Sequence, residues 1–293
     1  MSTPAADTPA PVEDSPVLEV AESEPQNPLT KKFTEKEWEA LRELRAKLPY
    51  IFETSFPDKQ DKLDPVNLWG IPIDPSNPVG DARVSVVLIK FLRARDLNVE
   101  NATNMMVSTL KWREEFKVDE LATDDALWEA FSSVGCVFGK DKEGRPITYN
   151  IYGGQKDTAA VFNDVPKFIR WRVQLMERGI ALIDFVNVDS MVQVHDHEGV
   201  GLRSHTANTK AAATQATKIF QDYYPEFLSK KFYINVPAYM TWIFWLFKPL
   251  ISANTLAKLN VVGGGTNTIG AALLPVIDAK ELPKKYGGEA EDL

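Results

Sequence analysis

Residues 223–237 read YYPEFLSKKFYINVP, and this stretch carries the pattern that decides the fold. The residues before it, Thr206–Tyr223, have helical spacing, and Pro225 stops that helix. Phe232–Val236 is a short run of β-branched and aromatic residues that ends at Pro237, which is typical of a strand. A helix that leads directly into a strand predicts an α/β layer.

The alternation continues on both sides of this stretch. The predicted strands upstream are Val134–Phe138, Ile147–Tyr152 and Met191–Val200, with a long helix over Phe162–Asp184 between them. Downstream, an aromatic helix is predicted over Ala238–Leu250, followed by a passage from helix to strand over Leu256–Val262. Residues 121–293 are therefore expected to form an α/β lobe with a largely parallel or mixed sheet.

The first part of the chain follows a different pattern. Thr34 and Glu37 have the spacing of a capping box and begin a helix that we expect Pro49 to end. Two further helices are predicted over Ala82–Ala94 and Val99–Phe116, so that residues 31–120 form a small helical unit. Residues 1–30 contain six acidic residues, six prolines and no Lys or Arg, a composition that predicts a disordered acidic tail.

Charge and composition exclude several classes of protein. The chain has 293 residues and a net charge of −8, of which the tail carries −6, so the rest is nearly neutral. A basic surface for nucleic acid is therefore not indicated. The single cysteine, Cys136, rules out an intrachain disulfide. The longest apolar run, Ala238–Phe247, has about half of the ~20 residues needed to span a bilayer, and we expect a cytosolic protein.

All three histidines lie within eleven residues, at His195, His197 and His205. If the predicted strand is extended, the side chains of His195 and His197 share one face. Two imidazoles on one face are compatible with a metal-bearing cofactor. They are also compatible with two solvent-facing histidines on a half-buried strand, or with a zinc site completed by His205 or a carboxylate.

A second unusual feature is an aromatic cluster within the predicted helix that follows Pro237. The cluster could act as a lid over an apolar ligand or at a membrane interface, or the segment could be an ordinary buried helix. Its four members are Trp242, Phe244, Trp245 and Phe247.

Several separate segments resemble the CRAL-TRIO, or Sec-fourteen-like, lipid-binding family. They are Phe91–Arg95, Leu110–Arg113, Tyr223–Glu226, Phe232–Pro237, Leu246–Pro249 and Leu282–Gly288. The resemblance implies an N-terminal helical tripod and an α/β lobe with a hydrophobic pocket beneath a mobile gate helix. It also implies that the four aromatic residues belong to that gate.

The phosphatidylinositol binders of this family suggest a head-group site. Carried over by position, its residues are Arg95, Glu226, Thr255 and Lys258. Cations suit the lipid phosphate, and a carboxylate suits the inositol hydroxyls. Asp96 departs from the family pattern, because phospholipid-binding relatives often have a basic residue after the arginine.

The strand motif H-D-H-E-G at residues 195–199 has histidines where most of the family has apolar residues. Over this stretch the chain resembles the fungal Sec-fourteen-homologue-five branch of the family. That branch is described as phosphatidylinositol-transfer proteins and as haem binders. The resemblance implies haem b contacts at Tyr152, Arg172, His195, His197 and Lys231, with iron held by His197 and with His195 beside it or opposite. The branch usually has a tyrosine ligand where His197 stands.

These implications together predict a non-enzymatic protein that binds haem and transfers phosphatidylinositol. We expect it in the cytoplasm, with transient peripheral contact with endoplasmic reticulum or other internal membranes. Two alternatives remain: a phospholipid or sterol carrier without haem, and a haem- or zinc-dependent enzyme. The enzyme would need an open metal position beside an acid–base residue, whereas Asp196 and Glu198 are expected to point away from the histidine face.

Overall fold

The computed structural model of the chain describes residues 24–59, 64–153, 160–201, 206–237 and 253–293. Within these ranges the helices are α1 (Glu35–Ala46), α2 (Leu48–Ser55), α3 (Ala82–Arg93), α4 (Val99–Phe116), α5 (Val118–Ala122), α6 (Asp125–Ala130), α7 (Val165–Ile180), α8 (Ala207–Tyr223), α9 (Ala253–Lys258) and α10 (Thr266–Leu273). The strands are β1 (Val66–Leu68), β2 (Ile71–Ile73), β3 (Gly135–Lys140), β4 (Pro146–Ile151), β5 (Met191–Asp196), β6 (Leu228–Ile234) and β7 (Leu259–Val261).

The helical unit begins as predicted, with a capping box at Thr34. The Thr34 side chain accepts from the Glu37 N–H, and the Glu37 carboxylate accepts from the Thr34 N–H at 2.8 Å. The prediction that Pro49 ends this helix is wrong, because α1 already ends at Ala46. Pro49 lies in the first turn of α2, where its missing N–H has no helical acceptor to lose.

The lobe contains a five-stranded sheet in the order β3-β4-β5-β6-β7. β3 pairs with β4 in antiparallel fashion, and the remaining neighbours are parallel, which confirms the expected mixed α/β layer. The register places Asn150 of β4 beside His195 of β5, and His195 beside Tyr233 of β6. β5 ends at Asp196, earlier than the predicted Val200, because a turn follows, in which the Val200 N–H donates to the His197 carbonyl.

The two faces of the sheet pack against different partners. Ile147, Val192, Val194 and Phe232 form a core with α10 and with the buried ring of Tyr286 near the C-terminus. The opposite face carries polar side chains instead, and α7 and α8 lie on that side. The cavity described below is lined by side chains of this polar face.

Part of the predicted tail is packed onto the helical unit. The Glu24 carboxylate pairs with Arg45 at 2.7 Å and with Arg42 at 3.4 Å. Asn27 is buried, and its side-chain N–H donates to the Phe185 carbonyl at 2.9 Å. The predicted boundary at residue 30 is therefore too late, because composition alone does not show that these polar groups have buried partners. Residues 1–23 lie outside the described ranges.

No helix in the described part of the chain is long and apolar enough to cross a membrane.

Candidate functional site

A cavity of about 1180 Å³ lies between the polar face of the sheet, α7, α8 and the end of α3. Of the residues that the sequence predicts for haem or for the lipid head group, every one with a described side chain lines this cavity. They are Arg95, Tyr152, Arg172, His195, His197, Glu226, Lys231 and Lys258. These residues are far apart in the sequence, so the fold brings the two predicted sites together in one space.

The floor of the cavity includes alternate residues of the parallel strands β5 and β6. Gln193 and His195 point to the same side of β5, and the parallel register places Lys231 beside Gln193 and Tyr233 beside His195. Asp196 points to the other side, where its carboxylate accepts from Tyr286 Oη at 2.8 Å. The prediction that Asp196 points away from the histidine face is confirmed.

The two imidazoles lie between two phenol rings. The centroid of Tyr152 is 5.9 Å from that of His195 and 5.8 Å from that of His197. The centroid of Tyr233 is 5.4 Å from His195 and 5.8 Å from His197. His195 is 5% exposed and His197 is partly buried, so the alternative of two solvent-facing histidines is wrong.

The hydrogen bonds of His197 determine its tautomer. Its Nδ1 lies 3.2 Å from the main-chain oxygen of His195, and because a carbonyl only accepts, Nδ1 carries the proton. In this tautomer Nε2 is the ring nitrogen that carries no proton when the imidazole is neutral.

His195 is held differently. Its Nε2 lies 3.4 Å from Asn150 Nδ2 and 3.5 Å from Gln193 Oε1. Burial lowers the pKa of His195 well below its usual value, and the positive charges of Lys231 and Arg172 add to this effect. His195 is consequently neutral at physiological pH, with its Nε2 turned toward the amides of the floor.

Arg172 places a buried positive charge beside the histidines. It is 4% exposed and hydrogen-bonds to Tyr152, and its guanidinium carbon lies 5.1 Å from the Phe220 ring centroid. Burial lowers the pKa of Arg172, and Tyr152 acts in the opposite direction. Within the described residues, no carboxylate lies within 4.0 Å of Arg172 or Lys231, and Lys231 Nζ lies 5.2 Å from the centroid of the Tyr233 ring.

Three further lining residues are the ones that the sequence predicts for a lipid head group, Arg95, Glu226 and Lys258, and we call them the head-group corner. Lys258 Nζ lies 2.9 Å from Glu226 Oε2, and both side chains are partly exposed to the cavity. Arg95 donates from Nη1 to the Ala94 carbonyl at 2.8 Å. Thr255 is in α9, one turn before Lys258, but its side chain is outside the described part of the structure.

The sequence prediction missed two further residues of the floor, Gln193 and Tyr233, and also Asn150, which contacts His195. Gln193 and Tyr233 could have been found, since each lies two positions from a predicted residue on the same strand, namely His195 and Lys231. Asn150 contacts His195 through the pairing of β4 with β5, which no local pattern reveals.

Several of the residues that the sequence predicts for the site lie outside the described ranges. These are the gate aromatics Trp242, Phe244, Trp245 and Phe247, and also His205, the third proposed zinc ligand. The described residues contain no group of three or more His, Cys, Asp or Glu side chains arranged to hold a metal ion.

Comparison with known proteins gives consistent matches along the chain. The CRAL/TRIO domain family matches residues 130–288, and the CRAL/TRIO N-terminal domain family matches residues 30–108. A "Phosphatidylinositol transfer protein sfh5" from Aspergillus oryzae is 35% identical over 268 residues, which cover 87% of this chain and 56% of that protein. The protein of that name from Neosartorya fischeri is 34% identical, covering 98% of this chain and 69% of its own length.

Two further relatives extend the comparison. Patellin-6 of Arabidopsis thaliana is 36% identical over 233 residues, which cover 76% of this chain and 54% of that protein. This chain thus spans between about half and about two thirds of these curated relatives. A solved structure, described as "Crystal structure of Sfh5", superposes with a TM-score of 0.72 at 27% identity and covers 89% of this chain and 90% of its own. With a helical unit ahead of a mixed-sheet lobe and matches to both family domains, the chain belongs to the CRAL-TRIO family.

Proposed function

We propose that this protein is a non-enzymatic carrier that binds phosphatidylinositol in its cavity and exchanges it between membranes. It also binds haem b against the part of the cavity floor that carries His195 and His197, which we call the histidine floor. The observation that carries the proposal is that the described residues of both predicted sites line one cavity of about 1180 Å³. The names of the fungal relatives, as phosphatidylinositol transfer proteins, support the lipid part.

The head-group corner supplies the chemistry that an inositol phosphate requires. Arg95 and Lys258 are cations that can bind the phosphate, and the Glu226 carboxylate can accept from inositol hydroxyls. Glu226 and Lys258 form an ion pair at 2.9 Å. A bound head group would replace that ion pair with its own hydroxyls and phosphate.

The histidine floor has a donor set that fits haem. A backbone carbonyl accepts from His197 Nδ1–H, which is a common arrangement for a histidine that binds a metal through Nε2. Arg172 and Lys231 can pair with the two propionates, and Tyr152 and Tyr233 offer ring faces. When bound, haem would supply an iron centre whose ligand is an imidazole rather than a tyrosinate. His195 would lie beside that ligand.

The absorption spectrum of the purified protein, combined with a vesicle assay for phosphatidylinositol exchange, tests the proposal. A Soret band together with exchange supports both parts. Exchange without the band, under adequate haem supply, would identify a lipid or sterol carrier whose histidines bind another head group. Colourless protein that contains zinc and hydrolyses a substrate would overturn the carrier proposal. We place the protein in the cytoplasm, in transient contact with endoplasmic reticulum or other internal membranes and with no nucleic-acid partner.

A further inference from the structure

Lys90, in α3, is a fully buried lysine outside the residues assigned so far. Its Nζ donates to two main-chain oxygens, that of Asp189 and, at 3.0 Å, that of Glu226. The Asp189 carboxylate lies 3.6 Å away, and the centroid of the Phe227 ring lies 4.5 Å away. Because the helical unit carries Lys90 and the lobe carries its partners, this side chain connects the two parts of the fold.

Glu226 has an unusual backbone conformation at this contact. Its φ is +52°, in the left-handed region that residues with a Cβ adopt only at a cost. The surroundings must therefore hold it there, and the Lys90 ammonium accounts for the position of its carbonyl oxygen.

The two ends of Glu226 meet two different lysines. Its carbonyl is bound from the core by Lys90, and its carboxylate is bound in the cavity by Lys258. A shift of the main chain at Glu226 would therefore move the carboxylate that faces the ligand.

Burying an ammonium costs free energy of desolvation, and the bonds of Lys90 to two main-chain oxygens, with the Asp189 carboxylate nearby, offset that cost. We propose that Lys90 is a positioning residue for head-group selectivity: by binding the Glu226 carbonyl it directs the Glu226 carboxylate toward the inositol hydroxyls. This inference rests on the proposed lipid function and names a residue that does not itself contact the ligand.

The charge of Lys90 is part of this role. Burial lowers the pKa of Lys90 to about 8, Asp189 and Glu226 counteract that shift, and Arg93 on the same helix adds to it. Lys90 is therefore protonated at neutral pH and loses its charge at moderately alkaline pH. A neutral amine binds the two carbonyls less strongly than an ammonium does.

The test is a competition for lipid in the full-length protein. Protein is equilibrated with vesicles that contain equal amounts of phosphatidylinositol and phosphatidylcholine, and the bound lipids are measured by mass spectrometry. We expect Lys90→Met to lower the ratio of bound phosphatidylinositol to phosphatidylcholine by about tenfold, the usual effect of losing one charge-assisted hydrogen bond. Leu88→Ala, a core change in the same helix that removes no polar contact, should lower stability and leave the ratio unchanged.

The outcomes separate this inference from the proposed function. A wild-type protein that takes up no phosphatidylinositol overturns the proposed function, and this inference with it. Selective wild-type protein together with an unchanged ratio in Lys90→Met overturns the positioning role alone.

A second measurement tests the positioning role of Lys90 if Lys90→Met does not fold. The same ratio is followed in wild-type protein from one unit below to one unit above the Lys90 pKa. We expect it to fall as pH rises through about 8, and to fall at lower pH in Asp189→Asn, which removes the charge that keeps Lys90 protonated. A ratio that does not change with pH in either protein contradicts the proposal.

Discussion

The Nδ1 atom of His197 lies 3.2 Å from the main-chain oxygen of His195, so that the backbone of one histidine sets the tautomer of the other. His197 lies one residue past the end of β5, yet its ring lies with that of His195 between Tyr152 and Tyr233. The Nδ1 contact also distinguishes two side chains that the sequence presents as equivalent. His197 contacts the main chain through Nδ1, whereas His195 directs its Nε2 toward the amides of Asn150 and Gln193.

We therefore predict that His197→Ala removes the Soret band or shifts it strongly, because the change deletes the proposed iron ligand. His195→Ala should retain a band with an altered position, since it removes a neighbour of that ligand. His197→Tyr should restore haem with a tyrosinate-type spectrum. The measurement is the absorption spectrum of protein expressed with adequate haem. An unaltered spectrum in His197→Ala would contradict the assignment.

The head-group corner leads to a second prediction. Lys258→Ala removes a cation proposed for the lipid phosphate and leaves Glu226 without its partner at 2.9 Å. Transfer of phosphatidylinositol between vesicles should fall about tenfold or more, and haem content should stay near that of the wild type. Glu226→Gln is the matched variant, and it should weaken phosphatidylinositol transfer more than phosphatidylcholine transfer. Equal loss of haem and lipid, or loss of neither, would argue against a separate head-group site.

The aromatic segment after Pro237 gives a prediction that rests on the sequence alone. Trp and Phe favour the membrane interface, where one edge of the ring can meet water and the rest is apolar. We expect Trp245→Ser to lower liposome association and ligand exchange while thermal stability is retained. Trp128→Ser, in α6, serves as the control for loss of a tryptophan elsewhere. If exchange continues at the wild-type rate, the segment is an ordinary core helix.

The sequence predicted which residues line the cavity better than it predicted how their side chains contact one another. Periodicity of two placed His195 and His197 together, and the family resemblance supplied Arg172 and Lys231. The phenol ring of Tyr233 could not be placed beside His195 by any local rule, because that contact depends on the parallel register of β5 and β6.

Local sequence patterns do not reveal tertiary contacts, and this also explains why the boundary of the tail was predicted at the wrong residue. Glu24 and Asn27 lie in a segment whose composition is typical of disorder, yet their partners, Arg45 and Phe185, come from distant parts of the chain. Pairing across 21 and 158 positions is a tertiary property, and propensity within a window does not contain it.

The contact between the helical unit and the lobe gives a final prediction. Arg113 of α4 binds both oxygens of the Glu177 carboxylate in α7, at 2.6 and 3.3 Å, and Tyr224 Oη donates to the same carboxylate at 2.6 Å. The side chains of Arg113 and Glu177 are 10% and 9% exposed, so Arg113→Met leaves a nearly buried carboxylate without its cation. We expect a loss of about 3–5 kcal/mol in the free energy of unfolding, measured by urea denaturation. Combining it with Glu177→Gln should recover much of that loss, because the stranded charge is then gone. A single variant that loses less than about 1 kcal/mol would mean that water already screens this pair as it does at a surface.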